Sequence, residues 1–159
     1  MMEVTASGLY TQRFLRGMET GQLDTLAHAA TEVMYPAGHR LFADGEYADK
    51  FWLIESGHVS LDLLVPGEGP VVVDHIGISG IVGWSWLLPP YQWAFGAVCV
   101  TEVKAYQFDA KAVRELCAAD PALRAEVTAR LFEVVARRLQ DTRTRLIAGH
   151  HDVSPYATV

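Results

Sequence analysis

From residue 32 to residue 108 the chain is a succession of short apolar runs separated by turn residues, and this texture constrains the fold most. The runs at 32–35, 40–42, 51–56, 59–65, 71–76, 94–100 and 103–108 all have strand length. Pro66-Gly67-Glu68-Gly69-Pro70 joins two of them as a hairpin-like connection. Together they predict an all-β barrel or sandwich.

Helical patterning flanks this region. Leu9, Phe14, Leu15 and Met18 fall roughly on one face of a short amphipathic helix. A second helix follows Thr20, with Leu23, Leu26 and Ala27 inward. The β texture stops at Asp109, a plausible N-cap for a short helix over 110–118. Asp120-Pro121 then supplies a cap residue and a proline at the first helical position. The helix it opens runs to about residue 148, roughly 40 Å at about 1.5 Å per residue. Leu123, Val127, Leu131, Val134, Val135, Leu139 and Leu146 form its apolar stripe. Residues 149–159 are expected to be a loose polar tail. The domain organisation is therefore one domain over 1–148 and a tail.

The net charge of −6 argues against general nucleic-acid binding, which needs Lys and Arg against phosphates. The longest stretch without a formal charge, His75 to Thr101, is broken by Pro89-Pro90 and four glycines, so a membrane span is not expected. The N-terminus has no basic start followed by an apolar run, so no signal peptide is expected and the cytoplasm is the default compartment. Cys99 and Cys117 form neither a metal-type spacing nor a disulfide framework.

The stretch Gly38-His-Arg-Leu41-Phe42-Ala-Asp-Gly45-Glu-Tyr-Ala48, followed by Phe51-Trp-Leu-Ile54-Glu-Ser-Gly57-His-Val59, resembles the cyclic-nucleotide-binding domain family, which includes the effector domains of catabolite-activator-type regulators. The resemblance extends over about residues 9–148. It implies a mainly β fold with flanking α: a jelly-roll-like β-barrel, N-terminal helices and a long C-terminal helix. Family members that bind a cyclic nucleotide use a cassette opening with Gly-Glu and closing, about ten residues later, with Arg followed by Ser or Thr. The Glu takes the ribose hydroxyl and the Arg pairs with the cyclic phosphate.

Here the matching segment runs from Gly83 to Phe95. Gly83 matches, but Trp84 stands where Glu is expected. The Arg and Ser positions fall on Ala94 and Phe95, give or take one or two residues. No Lys or Arg occurs from Phe51 to Val103, while five acids do. A phosphate in a partly buried site needs charge-assisted donors, and an unpaired buried anion costs several kcal/mol. Backbone amides at a helix start near Ser85–Leu88 are the remaining route to an anion. Trp84, Trp86, Tyr91, Trp93 and Phe95 make the segment aromatic instead. They either line a pocket for an apolar ligand or pack as core and contact surface. The pocket candidates are therefore Gly83, Trp84, Ser85, Trp86, Trp93, Ala94 and Phe95.

The six histidines are scattered without a metal-type motif, so neither a metal nor a cofactor is expected. His75 could serve as a haem ligand, but a lone barrel histidine is more often structural. No Ser-His-Asp or paired-carboxylate motif is recognisable. Relatives carry a helix-turn-helix unit after the long helix; the sequence here ends about ten residues past it, so DNA binding is not expected. The long helix commonly mediates dimerisation in this family. Val127, Leu131, Val134 and Leu139 are the dimer candidates; the alternative is that the stripe folds back on its own domain. The expectation is a non-enzymatic regulatory or scaffold module with no bound cofactor, acting as a homodimer or through a protein partner. The alternative is a small-ligand sensor.

Overall fold

The computed structural model describes residues 3–152. The chain divides into two units, Met1–Arg124 and Ala125–Val159. The first unit begins with α1 (Ala6–Tyr10), a single 3-10 turn (Arg13–Leu15) and α2 (Thr20–Ala27). Eight strands follow: β1 (Ala30–Tyr35), β2 (Arg40–Phe42), β3 (Lys50–Ser56), β4 (Val59–Val65), β5 (Gly69–Ile76), β6 (Ile81–Val82), β7 (Gly96–Cys99) and β8 (Val103–Asp109). Then come α3 (Ala110–Ala119) and the start of α4 (Pro121–Asp152).

The strands form two antiparallel four-stranded sheets, in the orders β1-β8-β3-β6 and β2-β7-β4-β5. The jelly-roll expectation holds as a pair of sheets; the strands do not close into one barrel. Strand alternation puts Trp52 and Ile54 on one face of β3 and Phe51 and Leu53 on the other. Trp52 stacks on Phe42 of the opposite sheet, with centroids 5.7 Å apart, so its face looks into the sandwich. Phe51 stacks on Phe108 on the other face, at 4.7 Å. All four residues are buried, so β3 is covered on both sides. That explains why Phe51-Trp-Leu-Ile54 shows no polar alternation.

The N-terminal segment differs from the single helix expected over 9–18. The Thr11 hydroxyl donates to the Gly8 carbonyl at 2.7 Å, and Gln12 is extended. A local side-chain bond of this kind competes with helix continuation. Leu9, Phe14, Leu15 and Met18 are nevertheless all buried. β6 was not expected, because two residues carry no periodicity. β7 is shorter than the apolar run 94–100. Residues 91–93 pair instead with the 45–48 loop: Trp93 N–H donates to Glu46 O at 2.9 Å, and Ala48 N–H to Tyr91 O at 2.6 Å.

Both predicted caps form. Asp109 accepts from Ala112 N–H at 2.9 Å, and Asp120 accepts from Ala122 and Leu123 N–H at 3.0 and 3.2 Å. α4 runs past the expected end at residue 148 to Asp152. Residues 149–152, expected in the tail, are thus helical, and 153–159 lie outside the described residues. In the second unit, Glu126–Arg130 and Glu133–Arg137 make i,i+4 ion pairs at 3.1 and 3.0 Å.

A charged cluster on the first sheet gives the stability a pH signature. Lys104 Nζ lies 2.8 Å from Glu32 and 3.5 Å from Glu55. The hydrogen bond to Glu32, and then the charge of Glu55, raise the Lys104 pKa above its ordinary 10.5. Burial, and then the charges of Glu55 and Glu32, raise Tyr106 above 10.0. Both groups hold their protons more tightly folded than unfolded. Their contribution is fully present below the unfolded values and is lost as pH rises through the folded ones. Urea unfolding should therefore show stability steady to about pH 10 and falling above it. Tyr106→Phe should make that fall shallower; an equally steep fall in the variant contradicts the assignment.

Candidate functional site

The cassette segment leaves β6 at Gly83, whose φ of +91° lies in the left-handed region. A Cβ there would come within 2.5 Å of the Trp93 ring. Only glycine combines that backbone with that approach. Ser85–Leu87 then makes one 3-10 turn, and Trp84 provides it with no side-chain cap.

The seven candidates are divided between two places. The Trp93 ring stacks on Phe42 at 3.9 Å and lies 6.3 Å from Trp52, so it sits between the sheets. It is 4 % exposed. Trp86 is 0 % exposed and stacks on Phe51 at 4.5 Å, on the other face of β3. Its Nε1 is buried without a hydrogen-bond partner. Trp84, Ser85 and Phe95 are half-buried and Ala94 is exposed. The aromatic segment is thus two buried rings packed on opposite faces of one strand, with the remaining side chains nearer solvent.

Sequence reasoning missed the residues that fix this segment. Arg114 of α3 donates from Nη1 to the Trp86 carbonyl at 2.7 Å and from Nη2 to Tyr47 Oη at 3.3 Å. Its guanidinium also lies 4.5 Å from the Tyr91 ring centroid. A mid-helix arginine carries no sequence signal for such a contact. Inside the sandwich, Gln107 Oε1 accepts from Tyr35 Oη at 2.6 Å and from Trp52 Nε1 at 3.1 Å.

Cations from outside the 51–103 interval do approach the segment. Arg40 crosses β7 at Gly96 and pairs with Asp62 through both nitrogens, at 3.2 and 2.9 Å. Arg40 lies opposite Val98 and Phe42 opposite Ala97, with a register shift between them that turns the two side chains to opposite faces. Arg40 is therefore on the outer face of its sheet and already neutralised. The Lys50 backbone also borders the segment: its carbonyl is 3.6 Å from where a Gly83 Cβ would stand. Its ammonium is 4.0 Å from Asp49.

Cys99 and Cys117 are free and buried. Burial pushes both thiols above their ordinary 9.0, away from the reactive thiolate. His75 is exposed on the edge strand β5. Among the described residues no group of three His, Cys, Asp or Glu side chains could hold a metal ion. Among them, too, no helix is long and apolar enough to cross a membrane.

Residues 32–120 match the family described as "Cyclic nucleotide-binding domain", more than half of the chain. The chain belongs to the cyclic nucleotide-binding domain family. A CRP-like cAMP-activated global transcriptional regulator of Mycobacterium tuberculosis is 30 % identical over 131 residues, 82 % of this chain and 57 % of the regulator. The chain thus spans little more than half the length of the curated relatives it matches. Among solved structures, a Geobacter metallireducens protein named for cyclic nucleotide binding superposes with a TM-score of 0.78 at 24 % identity. That match covers 86 % of this chain and 98 % of that one. The Thermus thermophilus catabolite activator protein superposes with a TM-score of 0.68 at 21 % identity, over 85 % and 62 %. These structures share the fold. A cyclic nucleotide-binding domain is typically regulatory rather than enzymatic, and this chain has that fold.

Proposed function

We propose that this cyclic nucleotide-binding domain no longer takes a cyclic nucleotide, and that it acts without catalysis through protein contacts: a homodimer through α4, or a protein partner. One observation carries the reading. Trp84 replaces the expected Glu, Ala94 and Phe95 replace Arg and Ser, and the Trp93 ring packs on Gly83 and Phe42 at the start of the same segment. A ring in that position leaves a phosphate no guanidinium and less room. Cytoplasmic residence and the absence of DNA contact belong to the same proposal. Residues 1–124 hold eight Lys and Arg against fifteen Asp and Glu, a poor surface for phosphates.

Of the four dimer candidates, Leu139 is exposed, Val134 is half-buried, and Val127 and Leu131 are buried in the single chain.

The second reading, a small-ligand sensor, draws on Lys50 beside Gly83 and on the orphaned Trp86 Nε1. Tryptophan fluorescence separates the two. Titration with cyclic AMP or cyclic GMP to millimolar concentration should leave the emission unchanged. A saturable change abolished by Lys50→Met or Trp84→Ala establishes the sensor instead.

A further inference from the structure

Among the described side chains, His58 and His75 bring their rings together. The centroids are 6.2 Å apart and the ring planes cross at 64°. The two are far apart in the sequence, so no motif announces the pair; the β4–β5 register makes it. Ser60 lies opposite His75 and Val59 opposite Ile76, so His58 falls opposite Gly77 and diagonal to His75. His58, Ser60 and Asp62 alternate onto one face. Asp62 meets Arg40 on the outer face of this sheet, so both imidazoles project outward. Both residues are exposed.

The backbone fixes the base of each ring. His58 N–H donates to Thr101 Oγ1 at 3.1 Å, and its carbonyl accepts from Val100 N–H at 2.8 Å. His75 N–H donates to Asp74 Oδ1 at 2.9 Å, which sets a carboxylate beside the pair. A Cβ on Gly77 would stand 3.9 Å from His58 Cε1; without one, the His58 ring has room to turn. Among the described residues, neither ring has a hydrogen-bond partner on its nitrogens. His28 differs, with Nδ1 2.7 Å from the Asp24 carbonyl, and His39 stacks on Tyr35.

Two adjacent free imidazoles chelate a cation of borderline softness. At a metal–nitrogen distance of about 2.0–2.1 Å, two imidazoles on one ion have centroids at most about 6.4 Å apart. The 6.2 Å seen here lies inside that limit, and a small turn of either ring narrows the bite. With no third His, Cys, Asp or Glu in reach among the described residues, water completes the coordination. We infer that His58 and His75 form a two-histidine site for a divalent cation of the copper–zinc class on the outer face of the second sheet. The bound ion ties the edge strand β5 to the start of β4. Cu²⁺ binds more tightly than Zn²⁺, and the oxygen-seeking Mg²⁺ does not bind. The inference is independent of whether the nucleotide site is lost.

The test titrates the whole chain, free of any affinity tag, with Zn²⁺, Cu²⁺ and Mg²⁺ in a calorimeter. His150-His151 is a competing pair in the same chain, so H150A/H151A serves as the parent. The parent should give saturable heats with Cu²⁺ and Zn²⁺, Cu²⁺ the tighter, and none with Mg²⁺. Adding H58A or H75A should weaken both ions by about tenfold or more, because a single imidazole remains. Both rings are exposed, so neither substitution should change the circular dichroism spectrum. Zn²⁺ should also raise the thermal midpoint of the parent, since the ion binds only where folding brings the two strands together, and H75A should remove that rise. The absence of a saturable heat with either ion overturns the inference. So does a heat that H58A and H75A leave unchanged, or one lost already in H150A/H151A, which gives the ion to the other pair. Nucleotide binding enters none of these readouts, so this inference and the lost-site reading fail separately.

Discussion

Trp86→Ala is expected to lower the unfolding free energy by about 3–5 kcal/mol, the range for truncating a large buried aromatic. Trp86 has no solvent exposure and stacks on Phe51, itself stacked on Phe108. Its removal opens a cavity beside a β3 covered on both faces. At roughly 2–4 °C per kcal/mol for a chain of this size, the midpoint should drop by about 6–20 °C. Trp93→Ala belongs in the same range, because the ring fills the space between Phe42, Trp52 and Gly83. Half-buried Trp84, replaced by Ala, should cost about 1 kcal/mol or less. Urea unfolding of the three variants measures the contrast. Equal, small losses at all three would mean that the rings are loosely held pocket walls rather than packing.

Gly83→Ala is expected to be almost as damaging as the tryptophan truncations. A left-handed backbone costs a non-glycine residue about 1–2 kcal/mol. The new Cβ would also press the Trp93 ring at 2.5 and 2.7 Å, and forcing a methyl into a packed core costs about 1–3 kcal/mol. A loss of about 2–5 kcal/mol follows, with the Trp93 emission maximum shifted as the ring is displaced. The double variant Gly83→Ala/Trp93→Ala should lose less than the sum of the singles, since the clash disappears with the ring. Strict additivity would show that Gly83 and Trp93 do not meet.

The strands were legible because their signals are local. Apolar runs bounded by Gly and Pro set most of the strand limits, and Asp109 and Asp120 marked the helix starts through capping chemistry. Gly57 shows the same legibility: φ is +98°, and a Cβ there would collide with the Glu102 carbonyl. The turn glycine visible in the sequence is thus required by the close approach of the Glu102 backbone, a tertiary contact that the sequence does not show. The site was only half legible. Substitution at Trp84, Ala94 and Phe95 could be read directly, but not the separation of Trp86 and Trp93 onto opposite faces of β3. That separation depends on which ring meets Phe51 and which meets Phe42, a tertiary outcome with no periodicity of its own. Arg40 and Arg114 were invisible for the same reason. Each acts at a site 22 or more residues away in sequence. The interval without Lys or Arg in the chain is therefore not a region without them in space. What matters is that Arg40 is already paired with Asp62, and Arg114 with the Trp86 carbonyl and the Tyr91 ring.

The most direct measurement is isothermal calorimetry of the whole chain with cyclic AMP, and separately with cyclic GMP, carried to millimolar ligand. A cassette without Glu or Arg, and with Trp93 packed over Gly83, predicts no saturable heat with either nucleotide. A Kd in the micromolar range for either one would contradict the account. It would mean that Lys50 or the amides of the Ser85–Leu87 turn hold the phosphate after all.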